Sequence, residues 1–376
     1  MKLDKKDILK ALETITIAGE GKNMVESGAV KNVVTFGEEV IIDLVLSTPA
    51  MHIKKRAEDD IKKTILELVS ADAKIQIKST VVVPEPNEIK GKAVPGLRNI
   101  VAVASGKGGV GKSTVTANLA ITLSKMGFKV GILDADVYGP SMPIMFDVAD
   151  EKPLAVNVDG VSKMKPIENY GVKLLSLGFF TQPNQAVIWR GAMASKALNQ
   201  LIFDSDWGEL DFLLIDLPPG TGDIHLSIVQ SIPITGAVIV STPQKIALAD
   251  AKKGVAMFKQ DLINIPVLGI IENMSYFIPE EFPENKYYLF GKDGAKNLAI
   301  DLQVPFLGYI PLVQSVREAG DFGRPVAMQN ETIISQELKK ITQNIVSEVI
   351  KRNKDLPVSE AIKITTMAGC SAVNNK

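Results

Sequence analysis

The segment Gly106–Thr114, Gly-Lys-Gly-Gly-Val-Gly-Lys-Ser-Thr, constrains the fold of this chain more than any other part of the sequence. It matches the pattern G-x-x-x-x-G-K-[ST] and lies between an apolar stretch, Ile100–Ala104, and a helix-forming stretch, Ser113–Met126. Glycines in such a loop let the backbone turn tightly and aim successive N–H groups inward, where the following helix N-terminus adds partial positive charge. The pattern therefore predicts a phosphate-binding loop (P-loop) between a buried strand and a helix.

The region after Asn99 alternates short apolar runs with helical stretches, which is typical of a mostly parallel sheet covered by helices on both faces. The runs are rich in leucine and β-branched residues, as expected of strands buried on both sides. They are Ile100–Ala104, Val130–Leu133, Lys173–Leu177, Phe212–Ile215, Gly236–Val240, Val267–Ile271 and Phe306–Tyr309. The pattern predicts an α/β fold with a doubly wound sheet, and the amphipathic stretch Thr332–Lys351 predicts a terminal helix.

Residues 1–83 have a different pattern, which predicts a small α+β domain. The predicted elements are helices over Lys5–Leu12 and Ala57–Val69 and strands over Val30–Phe36, Val40–Leu46 and Lys74–Val83. Residues 84–96 are rich in proline and glycine and predict a solvated linker. We therefore expect the P-loop domain over residues 97–352, followed by a polar tail over residues 353–376.

Several residues of the loop have an expected role in binding ATP. Lys112 is expected to contact the β- and γ-phosphates, the Ser113 hydroxyl to bind Mg²⁺, and Thr114 to reach the α-phosphate. The other residues expected around the phosphates are Gly106, Lys107, Gly108, Gly109, Val110 and Gly111. The sequence thus predicts ATP and Mg²⁺ as the ligands of this loop.

Acidic residues end two of the predicted strands and supply candidate carboxylates for the metal. Asp134 and Asp136 follow the second run, and Asp216 follows the fourth. Because parallel strands bind ligands at their carboxyl ends, we expect these side chains at one edge of the sheet. We assign Asp216 to Mg²⁺ as the Walker-B carboxylate, Asp136 to the hydrolytic water, and Asp134 to the surroundings of the metal. The reverse roles for Asp134 and Asp136, or helix caps and turns, remain the alternatives.

The composition is that of an ordinary soluble globular protein. Hydrophobic residues make up 46% and charged residues 23% of the 376 residues, and the net charge is −1, which offers no excess positive charge for nucleic acid. The N-terminus is charged, and no apolar run reaches the roughly 18 residues of a membrane span. We therefore expect a cytoplasmic protein with neither nucleic acid nor membrane as a partner.

The additional lysine of the loop, Lys107, makes the chain resemble the deviant Walker-A ATPases. Three further segments, Asp134–Ser141, Asp216–Asp223 and Glu272–Ser275, are similar to those of the Mrp branch, the iron–sulfur cluster carrier ATPases. Residues 1–96 match the extra domain that many bacterial members of this branch carry. The resemblance implies a slow, Mg²⁺-dependent ATP hydrolase that assists the transfer of iron–sulfur clusters to client apoproteins.

The resemblance also implies a homodimer with ATP held between the subunits. Lys107 would reach the phosphates bound by the partner and act, with Lys112 and Asp136, on the charge that develops during hydrolysis. Asn273 would hydrogen-bond adenine, and the segment that begins at Pro311 would flank the base. A turn residue after a strand and a proline that ends a strand remain the alternative interpretations of these two residues.

The chain departs from the family pattern at the residues that hold the cluster. Members usually carry a C-x-x-C pair shortly after the Asn-Met-Ser segment, whereas Tyr276–Gly291 contains no cysteine here. A four-iron cluster takes about four thiolates, and the only cysteine of this chain is Cys370, in the predicted tail. A bound iron–sulfur cluster is therefore disfavoured; Cys370 and, as a nitrogen ligand, His52 are candidate ligands without motif support, and an incidental tail residue is the alternative for Cys370. The histidines His52 and His225 are interpreted as a surface residue and a helix residue, respectively.

A second functional class stays open, a nucleotide-switched positioning ATPase of the Min/Par type, which binds membrane or DNA. The terminal helix carries apolar residues that would form a membrane-seeking face. These residues are Ile333, Ile334, Leu338, Ile341, Ile345, Val346 and Val349. A helix packed on the sheet explains the same pattern more simply, and the net charge disfavours DNA.

Overall fold

The computed structural model describes most of the chain. The described residues are 3–16, 23–46, 51–81, 94–137, 139–180, 191–222, 225, 228–229, 232–261, 263–279, 281–282, 284–329 and 332–357, without the side chains of 51, 52, 81, 191 and 192. Cys370 lies outside these residues, and so do residues 82–93 of the predicted linker and its flanks.

The N-terminal unit combines a three-stranded sheet with two helices. The strands are β1 (Val30–Phe36), β2 (Glu39–Leu46) and β3 (Lys74–Val81), in the order β1-β2-β3. The first pair is antiparallel and the second is parallel. The helices are α1 (Lys5–Leu12) and α2 (Met51–Leu68). The latter begins before the predicted Ala57, because Ile53 already belongs to the buried stripe that continues through Ala57, Ile61 and Ile65 at helical spacing.

The remaining strands build the sheet that positions the P-loop, together with a separate hairpin. They are β4 (Leu97–Ala104), β5 (Val130–Asp134), β6 (Leu154–Val158), β7 (Val161–Lys165), β8 (Ile167–Asn169), β9 (Val172–Ser176), β10 (Leu210–Asp216), β11 (Gly236–Ser241), β12 (Val267–Phe277) and β13 (Phe306–Leu312). The eight-stranded sheet has the order β13-β12-β11-β4-β10-β5-β9-β8. Its pairs are parallel except β8 with β9, and β6 and β7 form the two-stranded hairpin.

Helices cover both faces of this sheet. They are α3 (Lys112–Lys125), α4 (Met142–Met145), α5 (Gly191–Phe203), α6 (Lys245–Phe258), α7 (Gly294–Asp301), α8 (Gln314–Asp321) and α9 (Ile333–Asp355). Alternate residues of β4 enter two different apolar clusters: Val101 and Val103 face one, while Ile100 faces the other. This alternation is what a strand buried on both faces requires, and it confirms the predicted α/β fold with a mostly parallel, doubly wound sheet.

Strands β12 and β13 extend beyond their predicted ends, and this changes the local interpretation of two site residues. Strand β12 continues to Phe277, so Asn273 lies inside a strand and its interpretation as a turn residue is wrong. Pro311 lies inside β13 rather than at its end. The proline is tolerated there because β13 is an edge strand and its pairing with β12 is irregular between Ile310 and Leu312.

The terminal helix α9 packs its apolar face on the protein. Thr332 caps its N-terminus by accepting a hydrogen bond from the backbone N–H of Ser335. The residues proposed as a membrane-seeking face are buried apart from Ile333, so that interpretation is wrong. The helix ends at Asp355, beyond the predicted start of the polar tail at residue 353. None of the helices in the described part of the chain combines the length and hydropathy of a membrane-spanning segment.

Candidate nucleotide-binding site

The P-loop connects β4 to α3 at the carboxyl edge of the sheet. Gly109 and Gly111 have φ angles of 79° and 80°, which favour glycine. Gly106 packs directly against α6, where a side chain would overlap the backbone of Asp250. Gly111 ends the loop as the N-cap of α3, and its carbonyl accepts from the N–H of Val115. The glycine spacing therefore serves both the turn and the close approach of α6.

Lys112, at the start of α3, reaches into a buried cluster of oxygen atoms. Its Nζ lies 2.7 Å from the Asp216 carboxylate and 3.9 Å from that of Asp136, and it donates to the Ser113 hydroxyl at 3.1 Å. The lysine side chain is only 5% exposed, and that of Asp216 is completely buried. The structure thus brings together the residues that the sequence assigned to the phosphates, the metal and the hydrolytic water.

Two hydroxyl groups of α3 donate hydrogen bonds to Asp216. Ser113 Oγ donates to one carboxylate oxygen at 2.6 Å, and Thr116 Oγ1 donates to the other at 2.8 Å. Sequence analysis did not identify Thr116, although its position one helical turn after Lys112 was a signal that the two share a face. With both oxygens engaged, the orientation of the carboxylate is fixed before any ligand arrives.

Asp134 lies beside Asp216 in the sheet, since the two are register partners of β5 and β10. Its carboxylate is fully buried and accepts hydrogen bonds from the Asp136 N–H at 3.2 Å, the Met142 N–H at 3.2 Å and the Ser176 hydroxyl at 2.9 Å. Burial, followed by repulsion from Asp216, raises the pKa of Asp134 above its usual range. These bonds fix the backbone positions of Asp136 and Met142.

Asp136 is more accessible than Asp134 and is oriented towards the lysine. One of its oxygens lies 3.9 Å from Lys112 Nζ, and the other accepts from the Gly139 N–H at 3.3 Å. One buried ammonium group thus faces the carboxylates of Asp134, Asp136 and Asp216, which favours a further cation in the same place.

The oxygen atoms of Ser113 and Asp216 are the ligands that Mg²⁺ prefers. In the described residues, no group of three or more His, Cys, Asp or Glu side chains could hold a metal by itself. A magnesium ion at Ser113 and Asp216 would therefore take its other ligands from phosphate and water, as this ion usually does.

The loop after Asp216 is joined to the P-loop by backbone contacts. The Gly220 N–H donates to the Ser105 carbonyl at 3.0 Å, and Pro219 lies next to Gly108.

His225 follows this loop in the sequence, and only 1% of its surface is exposed. Its ring donates a hydrogen bond to the Pro218 carbonyl, and its Nε2 has no hydrogen-bond partner. Burial, with a smaller contribution from the Lys112 charge, lowers the pKa of the imidazole to about 4. The predicted helical position of His225 is confirmed.

Of the residues that the family resemblance implicated, Asn273 contacts the P-loop and Lys107 belongs to it. The Asn273 side-chain amide donates to the Val110 carbonyl at 2.8 Å, so β12 supports the loop from behind. Lys107 is partly exposed, and its carbonyl accepts from the Ser105 hydroxyl at 3.0 Å. Thr114 is partly exposed on the first turn of α3, whereas Pro311 is buried in β13.

A glycine-rich loop with a buried lysine, a hydroxyl and an acidic partner, at the carboxyl edge of a doubly wound sheet, defines a nucleotide-binding P-loop protein. The family model of the NUBPL iron-transfer P-loop NTPase matches residues 96–349. The chain belongs to this family. A second model, that of an iron–sulfur cluster assembly protein, matches residues 5–77.

Individual relatives agree with this membership. The alignment with the iron-sulfur cluster carrier protein of Synechocystis is 41% identical over 330 residues, and it covers 87% of this chain and 93% of the relative. The chain is 46% identical over 272 residues to the mouse iron-sulfur cluster transfer protein NUBPL, over 71% of this chain and 82% of the relative. A solved nucleotide-binding protein from Archaeoglobus fulgidus in complex with ADP has a TM-score of 0.54 and 39% identity, covering 61% of this chain and 88% of its own.

Proposed function

We propose that this protein binds and hydrolyses ATP with Mg²⁺ and uses that cycle to assist the assembly of iron–sulfur clusters or their transfer to apoproteins. The observation that carries the proposal is the buried cluster of Lys112, Ser113 and Asp216 below the P-loop, in a chain that is 41% identical to an iron–sulfur cluster carrier protein. The first part follows from the chemistry of the site, and the second part from the family.

The geometry supports a specific role for each residue in ATP binding. Lys112 neutralises the β- and γ-phosphates, while the N–H groups of Gly106–Gly111 and the first turn of α3, with Thr114, surround the phosphate chain. Ser113 and Asp216 hold Mg²⁺, which supplies charge neutralisation for the phosphates when it is bound.

Asp136 is the proposed group that orients the hydrolytic water. Its carboxylate lies beside Lys112 and is partly accessible. The carboxylate of Asp134, in contrast, is fully buried and accepts three hydrogen bonds. Asp134 therefore serves to hold the segment that carries Asp136.

We further propose that ATP is bound between two copies of the chain. The partly exposed Lys107 would then contact the phosphates held by the partner, as a second cation during hydrolysis. Asn273 and Pro311, on neighbouring strands near the loop, would flank the adenine.

Residues 1–83 and 97–352 would act as separate domains joined by residues 84–96, which fits the separate family matches at residues 5–77 and 96–349.

The Min/Par alternative has less support. Its expected membrane-binding element, α9, buries its apolar face against the sheet. The relatives described above are iron–sulfur carriers or transfer proteins. The iron–sulfur role is therefore favoured, with the cluster held only transiently, because one cysteine per chain cannot supply about four thiolates.

The proposal is tested by following the formation of holo-ferredoxin from its apoprotein under anaerobic conditions, with iron, sulfide, ATP and Mg²⁺. The native chain should accelerate cluster insertion, and the Lys112→Ala variant should not. Iron content after reconstitution of the native chain and of Cys370→Ser reports whether the chain retains a cluster. Acceleration that is equal with native and Lys112→Ala protein would contradict a nucleotide-dependent role, and a stoichiometric cluster that depends on Cys370 would contradict transient holding.

A further inference from the structure

Met274 has a backbone conformation that is unusual for its residue type and for its place in the fold. Its φ angle is 53°, in the left-handed region, although it lies inside strand β12. In the described part of the chain, seven non-glycine residues have positive φ angles, and the other six lie outside the strands. Four of those six are aspartate or asparagine, which tolerate this region, whereas a methionine there is strained. Strain of this kind persists only where the surrounding structure enforces it, and it is common at functional sites.

The pairing of β12 with β13 enforces the conformation of Met274. Between two paired positions, three residues of β12 stand opposite the single Pro311 of β13, so β12 bulges there. A proline has no N–H to donate to a neighbouring strand, and a bulge opposite it therefore sacrifices little pairing. Directly after Met274, the Ser275 hydroxyl donates to the Ile310 carbonyl at 3.1 Å. This bond attaches the bulge to β13 and holds the strained residue in place.

The bulge turns two consecutive side chains towards the same end of the P-loop. In a regular strand, neighbouring side chains point to opposite faces of the sheet. Here the Asn273 amide donates to the Val110 carbonyl at 2.8 Å, and the Met274 side chain reaches the next residue of the loop, Gly111. A β-carbon built on Gly111 would overlap the Asn273 amide nitrogen and would lie 3.7 Å from the Met274 methyl carbon. Two adjacent residues of β12 thus contact the end of the P-loop.

Gly111 is a place where such a contact affects phosphate binding. It is the N-cap of α3, it has a φ angle of 80°, and it directly precedes Lys112. The N–H groups of the loop and of the first turn of α3 bind phosphate only while they point in one direction. Because glycine has more conformational freedom than other residues, a glycine-rich loop needs contacts that restrain it. The half-buried, unbranched side chain of Met274 supplies such a contact beside a residue that has no side chain.

We propose that Met274 is a positioning residue for nucleotide binding. Its left-handed backbone directs Asn273 and Met274 together at the P-loop, and its side chain braces Gly111 at the start of α3. The inference rests on the proposed binding of ATP and adds a residue that acts on the phosphates through the loop. Bracing of the loop strengthens the binding of every nucleotide with the same phosphates, whereas a contact with the base would distinguish adenine from guanine.

Three substitutions of Met274 separate the backbone strain from the side-chain contact. Met274→Gly removes both, Met274→Ala removes the contact and keeps the strain, and Met274→Leu keeps a side chain of similar volume. In urea denaturation, the unfolding equilibrium constant of Met274→Ala should be at least about threefold larger than that of Met274→Gly. Both variants should bind ATP and GTP about fivefold more weakly than the native chain, because the loop is less preorganised. Met274→Leu should bind both nucleotides within about twofold of the native affinity. Weak binding by Met274→Gly, the more stable of the two, cannot result from loss of folding.

Gln303 supplies the matched control, because it is an exposed residue with a φ angle of 52° that lies just beyond α7. Gln303→Ala and Gln303→Gly should show the same order of stability and should bind ATP like the native chain. Native-like ATP affinity of Met274→Ala and Met274→Gly would overturn the positioning role, and so would a loss of ATP affinity that GTP does not share. Equal stability of these two variants would overturn the strain at Met274. A native chain that binds neither nucleotide would instead refute the proposed binding of ATP.

Discussion

The Lys112 ammonium and the Asp216 carboxylate form an ion pair of 2.7 Å in which almost no surface of either side chain reaches solvent. Removal of one partner from such a pair leaves an uncompensated buried charge, whereas removal of both can be nearly neutral. The ion pair therefore stabilises the folded site, in addition to the proposed role of Lys112 in binding phosphates. These two roles, stability and phosphate binding, can be measured separately.

Replacement of Lys112 by alanine should abolish ATP binding and lower the free energy of unfolding by about 3–5 kcal/mol. The double variant Lys112→Ala/Asp216→Ala should regain a large part of the stability without regaining ATP binding. Urea denaturation and equilibrium dialysis with ATP measure the two quantities. ATP affinity that survives in Lys112→Ala would contradict the assignment of the P-loop, and a double variant less stable than both single variants would contradict the ion pair.

Ser113→Ala and Thr116→Val should have different effects, although both residues donate to Asp216. Loss of the Ser113 hydroxyl removes a proposed Mg²⁺ ligand, so the Mg²⁺ concentration for half-maximal hydrolysis should rise about tenfold or more. Loss of the Thr116 hydroxyl removes a buried hydrogen bond and should cost about 1–2 kcal/mol of stability. Titration of ATPase activity with Mg²⁺ distinguishes them, and equal Mg²⁺ dependence in the two variants would refute the metal role of Ser113.

Gly106→Ala should be much more damaging than Gly108→Ala. A β-carbon at Gly106 overlaps the backbone of Asp250, whereas one at Gly108 meets nothing closer than Pro219, at 3.9 Å. We expect Gly106→Ala to lower the melting temperature and to impair ATP binding at least tenfold, because α6 and the loop must separate. Thermal denaturation and ATP binding, measured for both variants, check this difference. Equal effects of Gly106→Ala and Gly108→Ala would contradict the contact between the loop and α6.

Asn273→Ala should weaken ATP binding by about tenfold, since it removes both the support of the Val110 carbonyl and the proposed contact with adenine. A contact with the base predicts that the preference for ATP over GTP falls as well. Competition binding with both nucleotides measures the two effects. An equal loss of affinity for ATP and GTP would mean that Asn273 supports the loop but does not recognise adenine.

His225 should make the protein sensitive to mild acid. Burial lowers the pKa of its imidazole to about 4, well below the 6.5 of the unfolded chain, so the unfolded state binds more protons between these values. The contribution to stability is therefore present above pH 6.5 and is lost as the pH falls towards 4. Between pH 7 and pH 5 the native chain should lose about 2 kcal/mol more stability than the His225→Gln variant, a comparison in which the opposite pH dependence from the raised pKa of Asp134 cancels. Urea denaturation at both pH values measures the difference; the same pH dependence in the variant would exclude His225 as its source.

The parts of the fold that could be predicted from the sequence are those with strong local patterns. The buried strands of the large sheet were predicted at their centres because both of their faces are apolar, and α1 because its cap and periodicity agree. The β6–β7 hairpin was missed because its strands are only five residues long and largely exposed, although Asp159-Gly160, both with positive φ, is a turn signal that could have revealed it.

The site was predictable to the extent that its residues belong to one motif or to strand ends. Ser176, which holds Asp134, comes from another element and depends on packing that no local pattern encodes, whereas the spacing of Thr116 from Lys112 was a local signal for its place beside Asp216. The hydrogen bond from Asn273 to the loop also depends on the extension of β12 beyond its apolar run. Contacts between distant segments of this kind follow only from the three-dimensional arrangement of the sheet.

The register between β5 and β10 places Asp134 directly beside Asp216. In a strand, the loss or gain of a single residue turns every following side chain to the opposite face. Such a change in β5 or β10 would move a carboxylate from the site to the other side of the sheet. The β6–β7 hairpin, which is not part of that sheet, has no such restriction. Differences in chain length between this protein and others of its fold should therefore accumulate in the hairpin and be absent from the two central strands.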